Sequence, residues 1–455
     1  MNRSGAGPKL ALIAVLLVAA APARAPAAVD EAGVRQLTLD DALAMAKKRN
    51  WNLAAERQRV VQAQTAIDQA WAILLPTIAA QGKYTRNYKA INFPGPIVTD
   101  NAGQPVLDAS GDAIHAPGIL IQPLNQLDAV ISFNAPLIVP AAFTGLQAVK
   151  ANVHASEANY EAAEANVLYG VAQAFYGAAI ADEVLSARHS SIEVTRATLA
   201  NAKTRFAAGT VTKVDVDRAE LAVLRAEQLE REARHGRNQA YRALATLIKI
   251  DGPFKIVLPP VPTAPVAEPN LENALQLRPE FRALELTSYA ADKQRVTDGL
   301  RWSPSISAFG NARRFNYDNF VRDHHSWAVG LQLDWVIFDG GNRDALRHQA
   351  AAQQAEADAR AAALRDNIAD DLVNQRSLLE TKQHAVEAAS RAVVLSQETI
   401  DLVRTQYEAG TVTQVDLLQA QDNLVAAQEA LAQARFDVSV ADLTLRRVAG
   451  TFPPR

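Results

Sequence analysis

Two stretches of this chain, 141–206 and 341–407, each run for more than sixty residues with helix-forming composition and no internal proline. At about 1.5 Å per residue, each would reach roughly 100 Å. Helices that long cannot fold back into an ordinary globular core, so they predict side-by-side, coiled-coil packing. Each ends on the same turn. Arg205-Phe-Ala-Ala-Gly-Thr-Val-Thr-Lys-Val-Asp215 returns as Gln406-Tyr-Glu-Ala-Gly-Thr-Val-Thr-Gln-Val-Asp416, 201 positions later (416 − 215). A shorter helical stretch follows each turn, at 213–250 and 414–449. The chain is therefore read as two repeats, 29–250 and 271–450, each built on a helical hairpin.

The returning helices carry a heptad. Leu417, Leu424, Leu431, Val438 and Leu445 recur every seven residues, with Ala420, Ala427, Ala434 and Ala441 three positions on. In the first repeat the large positions degrade to Val216, Val223, Glu230, Arg237 and Leu244, while Ala219, Ala226, Ala233 and Ala240 persist. Alanine at one of the two seam positions lets helix axes approach closely. The helices thus suit a thin wall better than a thick bundle.

Upstream of each long helix the pattern changes period. Residues 37–75 read as one helix opening at Thr38-Leu-Asp-Asp-Ala-Leu43, matched by Asn270-Leu-Glu-Asn-Ala-Leu275 in the second repeat. Pro76 and Pro304 then stop a helix and introduce a strand. Strands are expected in pairs, at 77–88 with 127–138 and at 305–315 with 326–338. In the last, Trp327, Val329, Leu331, Leu333, Trp335 and Ile337 face one way, and Ala328, Gly330, Gln332, Asp334 and Val336 the other. One apolar and one mostly polar face suits a strand between lipid and a wet lumen, and equally, from this strand alone, one in a soluble sandwich. Trp327 and Trp335 stand where interface anchors belong. Between the first pair lies a Gly/Pro/Asp/Asn-rich insertion, 90–125, expected as an outward loop.

The N-terminus, 1–28, reads as a secretory signal: Arg3 and Lys9, an apolar core too short to span a bilayer, then small residues. With no cysteine there is neither a disulfide framework nor a lipid-bearing thiol after the signal. No later stretch is apolar enough for a helical span. Residues 251–270, with six prolines, form a linker that cannot be helical throughout. A net charge of −3 gives no bulk electrostatic case for nucleic acid. The eight histidines show no metal-ligand spacing, and no catalytic constellation, metal site or cofactor is expected.

Helix, strand pair, very long helix, Gly-Thr hairpin and returning helix, all repeated behind a signal, resemble the TolC-like outer-membrane efflux family. The stretch 407–420 and its counterpart 206–215 carry the likeness most sharply, and Leu275-Gln-Leu-Arg-Pro-Glu280 resembles the opening of the family's second repeat. The resemblance implies four strands per chain and a homotrimer. Three chains would complete a twelve-stranded membrane β-barrel, continued by a long α-helical coiled-coil barrel across the periplasm. It implies no enzyme but an outer-membrane exit duct serving an inner-membrane pump through a periplasmic adaptor. Four strands cannot close a barrel by themselves, so the residues alone require an oligomer.

By the same resemblance the hairpin tips form the periplasmic entrance. Gly209, Thr210, Val211, Gly410, Thr411 and Val412 would be the adaptor-docking surface. Asp416, with Asp215 as its first-repeat counterpart, matches a position where family members can carry an acidic ring; a single ring of Asp416, with closure assisted by Tyr407 and Lys213, is expected here. Two positions depart from the family's namesake: Gln419 replaces a second aspartate, and Val412 replaces an arginine. Cargo stays open between small molecules and polypeptides of a type I secretion system. A periplasmic adaptor or structural coiled coil remains the alternative of a different class.

Overall fold

In the computed structural model, residues 35–262, 270–317 and 323–453 are described. The signal segment and part of the Pro-rich linker lie outside them. A short strand, β1 (Arg35–Leu37), leads into α1 (Leu39–Arg49) and α2 (Trp51–Ala72). Four strands follow: β2 (Thr77–Arg86), β3 (Ile91–Phe93), β4 (Ile119–Gln122) and β5 (Asn125–Ile138). The first hairpin is α3 (Pro140–Ala207) and α4 (Lys213–Ile248), followed by β6 (Phe254–Ile256). The second half runs α5 (Leu271–Leu277), α6 (Pro279–Leu300), β7 (Ser305–Phe315) and β8 (His325–Asp334). It closes with the hairpin α7 (Asn342–Glu408) and α8 (Gln414–Val448). No described helix is long and apolar enough to cross a membrane.

The helix expected over 37–75 is two helices. Thr38 caps the first, accepting from the Asp41 amide. Asn50 then adopts an extended backbone and caps the second, accepting from the amides of Asn52 and Leu53. An asparagine side chain competes well for helix-terminal donors, which is why it can break a run of otherwise helical residues. The second half breaks at the corresponding place: Arg278 is extended ahead of Pro279, as a residue before proline must be.

β2, β5, β7 and β8 form one antiparallel sheet in the order β2-β5-β7-β8. The register sorts the side chains into two faces. Ile78, Ala80 and Gly82 pair with Phe133, Ile131 and Ala129. Those stand beside Gly310 and Ala312, which pair in turn with Val329 and Trp327. This face is apolar across all four strands, and Val329 and Leu331 are more than 70% exposed. On the other face Gln81 pairs with Val130 and Ser132 with Asn311, while Ser307 pairs with Gln332. Among the described residues, neither edge strand, β2 or β8, has a partner on its outer side. β8 ends at Asp334, shorter than the 326–338 read from alternation, and β2 ends at Arg86 rather than 88. Trp335 lies just past the strand, donating its indole N–H to the Trp302 carbonyl at 3.1 Å.

The insertion before β5 is structured. β3 and β4 pair at its base, and two Asp-anchored turns fold its outer part. Asp100 accepts from the amides of Ala102 and Gln104, and Asp108 from those of Ser110 and Asp112. The two Asp-x-x-Gly turns recur eight residues apart, a repeat that composition alone conceals.

Helix α3 is the spine, packing along α4, α6, α8 and α2, while α7 packs along α8 and α6. Of the seam positions read from the heptad, Leu417, Val438, Leu445, Ala420, Ala434 and Ala441 are buried, while Leu424, Leu431 and Ala427 are only partly so. The largest core lies at the waist. There Phe175, Val171, Leu244, Ile248 and Leu37 pack from α3, α4 and the β1–β6 pair. The parallel pairing of β1 with β6 was not foreseen from the sequence. It joins two three-residue strands more than two hundred positions apart, with no periodicity to announce it.

Candidate functional site at the hairpin tips

The sheet feeds the starts of α3 and α7, and the two Gly-Thr turns end them. The turns therefore sit together at the far end of the molecule, about 100 Å from the sheet by helix rise. The two turns share the same dihedral signs and the same hydrogen bonds. Gly209 and Gly410 take φ of +74° and +76°, the left-handed conformation that closes a helix C-terminus and favours glycine. The next residue seals the end: the Thr210 amide and hydroxyl both donate to the Arg205 carbonyl, each at 3.0 Å. Thr411 does the same to the Gln406 carbonyl, again at 3.0 Å.

Two residues on, the chain re-enters a helix through a capping box. Thr212 accepts from the Asp215 amide, and Asp215 accepts from the Thr212 amide at 3.0 Å and from its hydroxyl at 2.7 Å. Thr413 and Asp416 repeat this, at 2.8 and 2.7 Å. The Thr212 hydroxyl holds the Asp215 carboxyl below the usual aspartate range, and the Thr413 hydroxyl does so for Asp416. Both carboxylates are thus ionised near neutral pH, and both lie at helix N-termini where negative charge is favoured. Gly, Thr, Thr and Asp of the motif each contribute to turning the chain.

What the turn leaves over is the outward-facing remainder. Val211 and Val412 are half-buried, and Thr210, Thr411, Lys213 and Gln419 are exposed. Gln419 donates to Asn423 along its own helix. Val214 and Val415, which sequence reading did not single out, are 54% and 48% exposed at matching places in the two tips. Their signal was available: both fall off the heptad seam, at the first turn of a helix, where an apolar side chain has no internal partner.

The two tips differ in burial. Tyr407 is 5% exposed, whereas its counterpart Phe206 is 46% exposed. Gln414 is buried, whereas its counterpart Lys213 is exposed. Arg205, at the end of α3, accounts for part of the asymmetry. Its guanidinium donates to the carbonyls of Tyr407 and Glu408 at 3.1 and 3.2 Å and lies 4.7 Å from the centre of the Tyr407 ring. Sequence reading quoted Arg205 only as the start of a repeated motif.

At the opposite end, Trp327 is exposed on the apolar face of β8, and Trp335 is exposed just beyond that strand. Arg343, buried at the start of α7, braces this junction. It donates to Asp339 and to the Arg301 carbonyl and stacks 3.9 Å from the Trp302 ring. Among the described residues, no group of three His, Cys, Asp or Glu could hold a metal ion.

The outer membrane efflux protein family matches residues 42–248 and 270–451. The chain belongs to that family. Its members are channels of the outer membrane rather than enzymes, and the chain is accordingly an outer-membrane protein. It is 30% identical over 128 residues to the outer membrane efflux protein BepC of Brucella suis, covering 28% of each chain. It is 25% identical over 269 residues to the alkaline protease secretion protein AprF of Pseudomonas aeruginosa, covering 54% of this chain and 53% of that one. Those aligned stretches span about half or less of the relatives' length. In fold it is similar to a membrane protein of Pseudomonas aeruginosa, with a TM-score of 0.74 at 19% identity over 90% of this chain and 93% of that one.

Proposed function

We propose that this chain is the outer-membrane exit duct of a tripartite export system, carrying small molecules delivered by an inner-membrane pump through a periplasmic adaptor. One observation carries the reading. A four-stranded sheet with one continuous apolar face and two unpaired edges is mounted on long helical hairpins whose tips lie at the opposite end. Such a sheet is incomplete in lipid, because every edge amide and carbonyl there needs a partner. Three copies supply twelve strands and close the barrel without an edge, and the hairpins continue the wall as a helical tunnel. Exposed apolar residues on α4 (Leu221, Leu224) and on α7 (Leu395, Leu402) suit contact between neighbouring copies.

The tips are then the periplasmic entrance. Gly209, Thr210, Val211, Gly410, Thr411 and Val412 dock the adaptor, with Val214 and Val415 adding apolar contact. Asp215 and Asp416 are ionised, and each repeats three times around the axis. They set a negative potential at the constriction without leaving their capping roles. The test is electrical: the purified chain in planar lipid bilayers conducts ions, and multivalent cations block the wild type more strongly than Asp416→Asn. Absence of any conductance contradicts the duct, and unchanged block removes the ring.

A second reading, export of polypeptides, has a specific observation behind it: the likeness to a relative named for alkaline protease secretion. It keeps the duct and changes the cargo. Loss of a secreted protein on deletion of the chain, with drug sensitivity unaltered, favours it.

A further inference from the structure

The apolar face of the sheet ends in cations. On β7, Arg314 stands two residues beyond Ala312 on that face, and its cross-strand partner on β8 is His325. Arg86, the last residue of β2, shares the face at the opposite edge of the sheet. All three are exposed. They lie at the end of the sheet away from α3 and α7, where β2 is joined to β5 and β7 to β8. Within the four strands this face carries no Asp or Glu.

The neighbouring arginine supplies the contrast. Successive side chains of a strand point to opposite faces, so Arg313 stands on the polar side. There its charge is compensated inside the chain: Nε donates to Asp128 at 3.0 Å, and Nη2 donates to the Tyr317 hydroxyl at 2.7 Å. Among the described residues, the side chains of Arg314, His325 and Arg86 have no ion pair or hydrogen bond. One arginine of the pair is served by the protein, and the next is left to its surroundings.

Depth defines those surroundings. Trp327 lies two residues below His325 on the same face, about 7 Å along the strand. An exposed tryptophan there marks the boundary between hydrocarbon and headgroups. One step beyond it, a cation meets headgroups without entering hydrocarbon, and the anions available are lipid phosphates. A guanidinium presents paired donors that match phosphate oxygens, and an imidazole adds an N–H donor. Two arginines and an imidazole supply more donors than a single phosphate needs.

We infer that Arg314 and His325, with Arg86 of the adjoining copy, bind a bisphosphorylated glycolipid headgroup of the outer leaflet at the junction between copies. The inference rests on the sheet closing into a lipid-embedded ring as proposed above, which brings the β2 edge of one copy beside the β8 edge of the next.

The assembled full chain, in a nonionic detergent, is titrated with bisphosphorylated lipid A, and bound lipid is counted by native mass spectrometry. Arg314→Gln weakens binding roughly tenfold, since charge-assisted bonds are the stronger kind. Arg314→Lys weakens it less, because the charge stays while the fork is lost. Arg86→Gln weakens it as well. Lys83→Gln removes a cation from the polar face at the same end of the sheet, opposite Asp128, and binds as wild type. Inorganic phosphate and phosphatidylglycerol displace the lipid only at many-fold higher concentration. Wild-type binding in Arg314→Gln, an equal loss in Lys83→Gln, or displacement by equal phosphatidylglycerol overturns the site. Wild-type binding in Arg86→Gln overturns its placement between copies. Should Arg314→Gln fail to assemble, Arg314→Lys and Arg86→Gln decide by the same comparisons. Conductance of the same preparation in planar bilayers separates this from the premise. If the wild type neither assembles nor conducts, the duct reading falls and the lipid site with it. If it conducts and Arg314→Gln binds as wild type, the lipid site alone falls.

Discussion

At the residue scale, each tip is a compact solution to reversing a helix within a few positions. A left-handed glycine ends one helix, a threonine seals its carbonyl, and a second threonine opens the next with an aspartate returning the bond. Losing a threonine N-cap costs about 1 kcal/mol, so Thr212→Ala should fray the first turn of α4 and speed amide exchange there. The pH dependence follows from the aspartates. Their carboxyls titrate below the ordinary value of 3.8, so their capping contribution is fully present above it. It is lost as pH falls through the lowered value. Protection of the amides at 212–216 and 413–417, taken relative to their intrinsic exchange rate at each pH, should therefore be constant from neutrality down to about pH 4 and fall only below it. A loss of protection already at pH 5 to 6 would contradict that assignment.

At the scale of elements, the sheet divides into an apolar face and a mostly polar one, and the register makes their proposed assignment to lipid and water testable. Val329→Arg, on the apolar face of β8, should cost about 2–4 kcal/mol near the bilayer midplane, while Gln332→Arg on the polar face should be tolerated. Yield of assembled protein in outer-membrane fractions distinguishes the two; equal yields would mean the faces are wrongly assigned. Much of this was legible beforehand. The alternation from Trp327 to Leu333, the stops at Pro76 and Pro304 and the heptad from Leu417 to Leu445 each report a local period, and local periods survive folding. What escaped was non-periodic or non-local. Asn50 splits a helix through its own side chain, and β1 finds β6 across the whole first hairpin. Arg205 meets Tyr407 only because two turns far apart in sequence are brought to the same level. The sequence pattern also extended β8 through Trp335 and Ile337, where the chain instead leaves the sheet and Trp335 bonds to Trp302.

At the scale of the whole molecule, the chain is built as a part. Its sheet has two open edges, its hairpins expose leucines along α4 and α7, and its largest core sits at the waist between sheet and tips. The open edges and the exposed leucines are what the proposed closed ring would cover. The most direct test is the mass of the protein extracted in detergent from outer-membrane fractions, measured by light scattering with the detergent contribution subtracted. The account predicts three copies of this 49.0 kDa chain, each less its signal segment, in a complex that resists dissociation until heated. A monodisperse monomer, soluble without detergent, would contradict it.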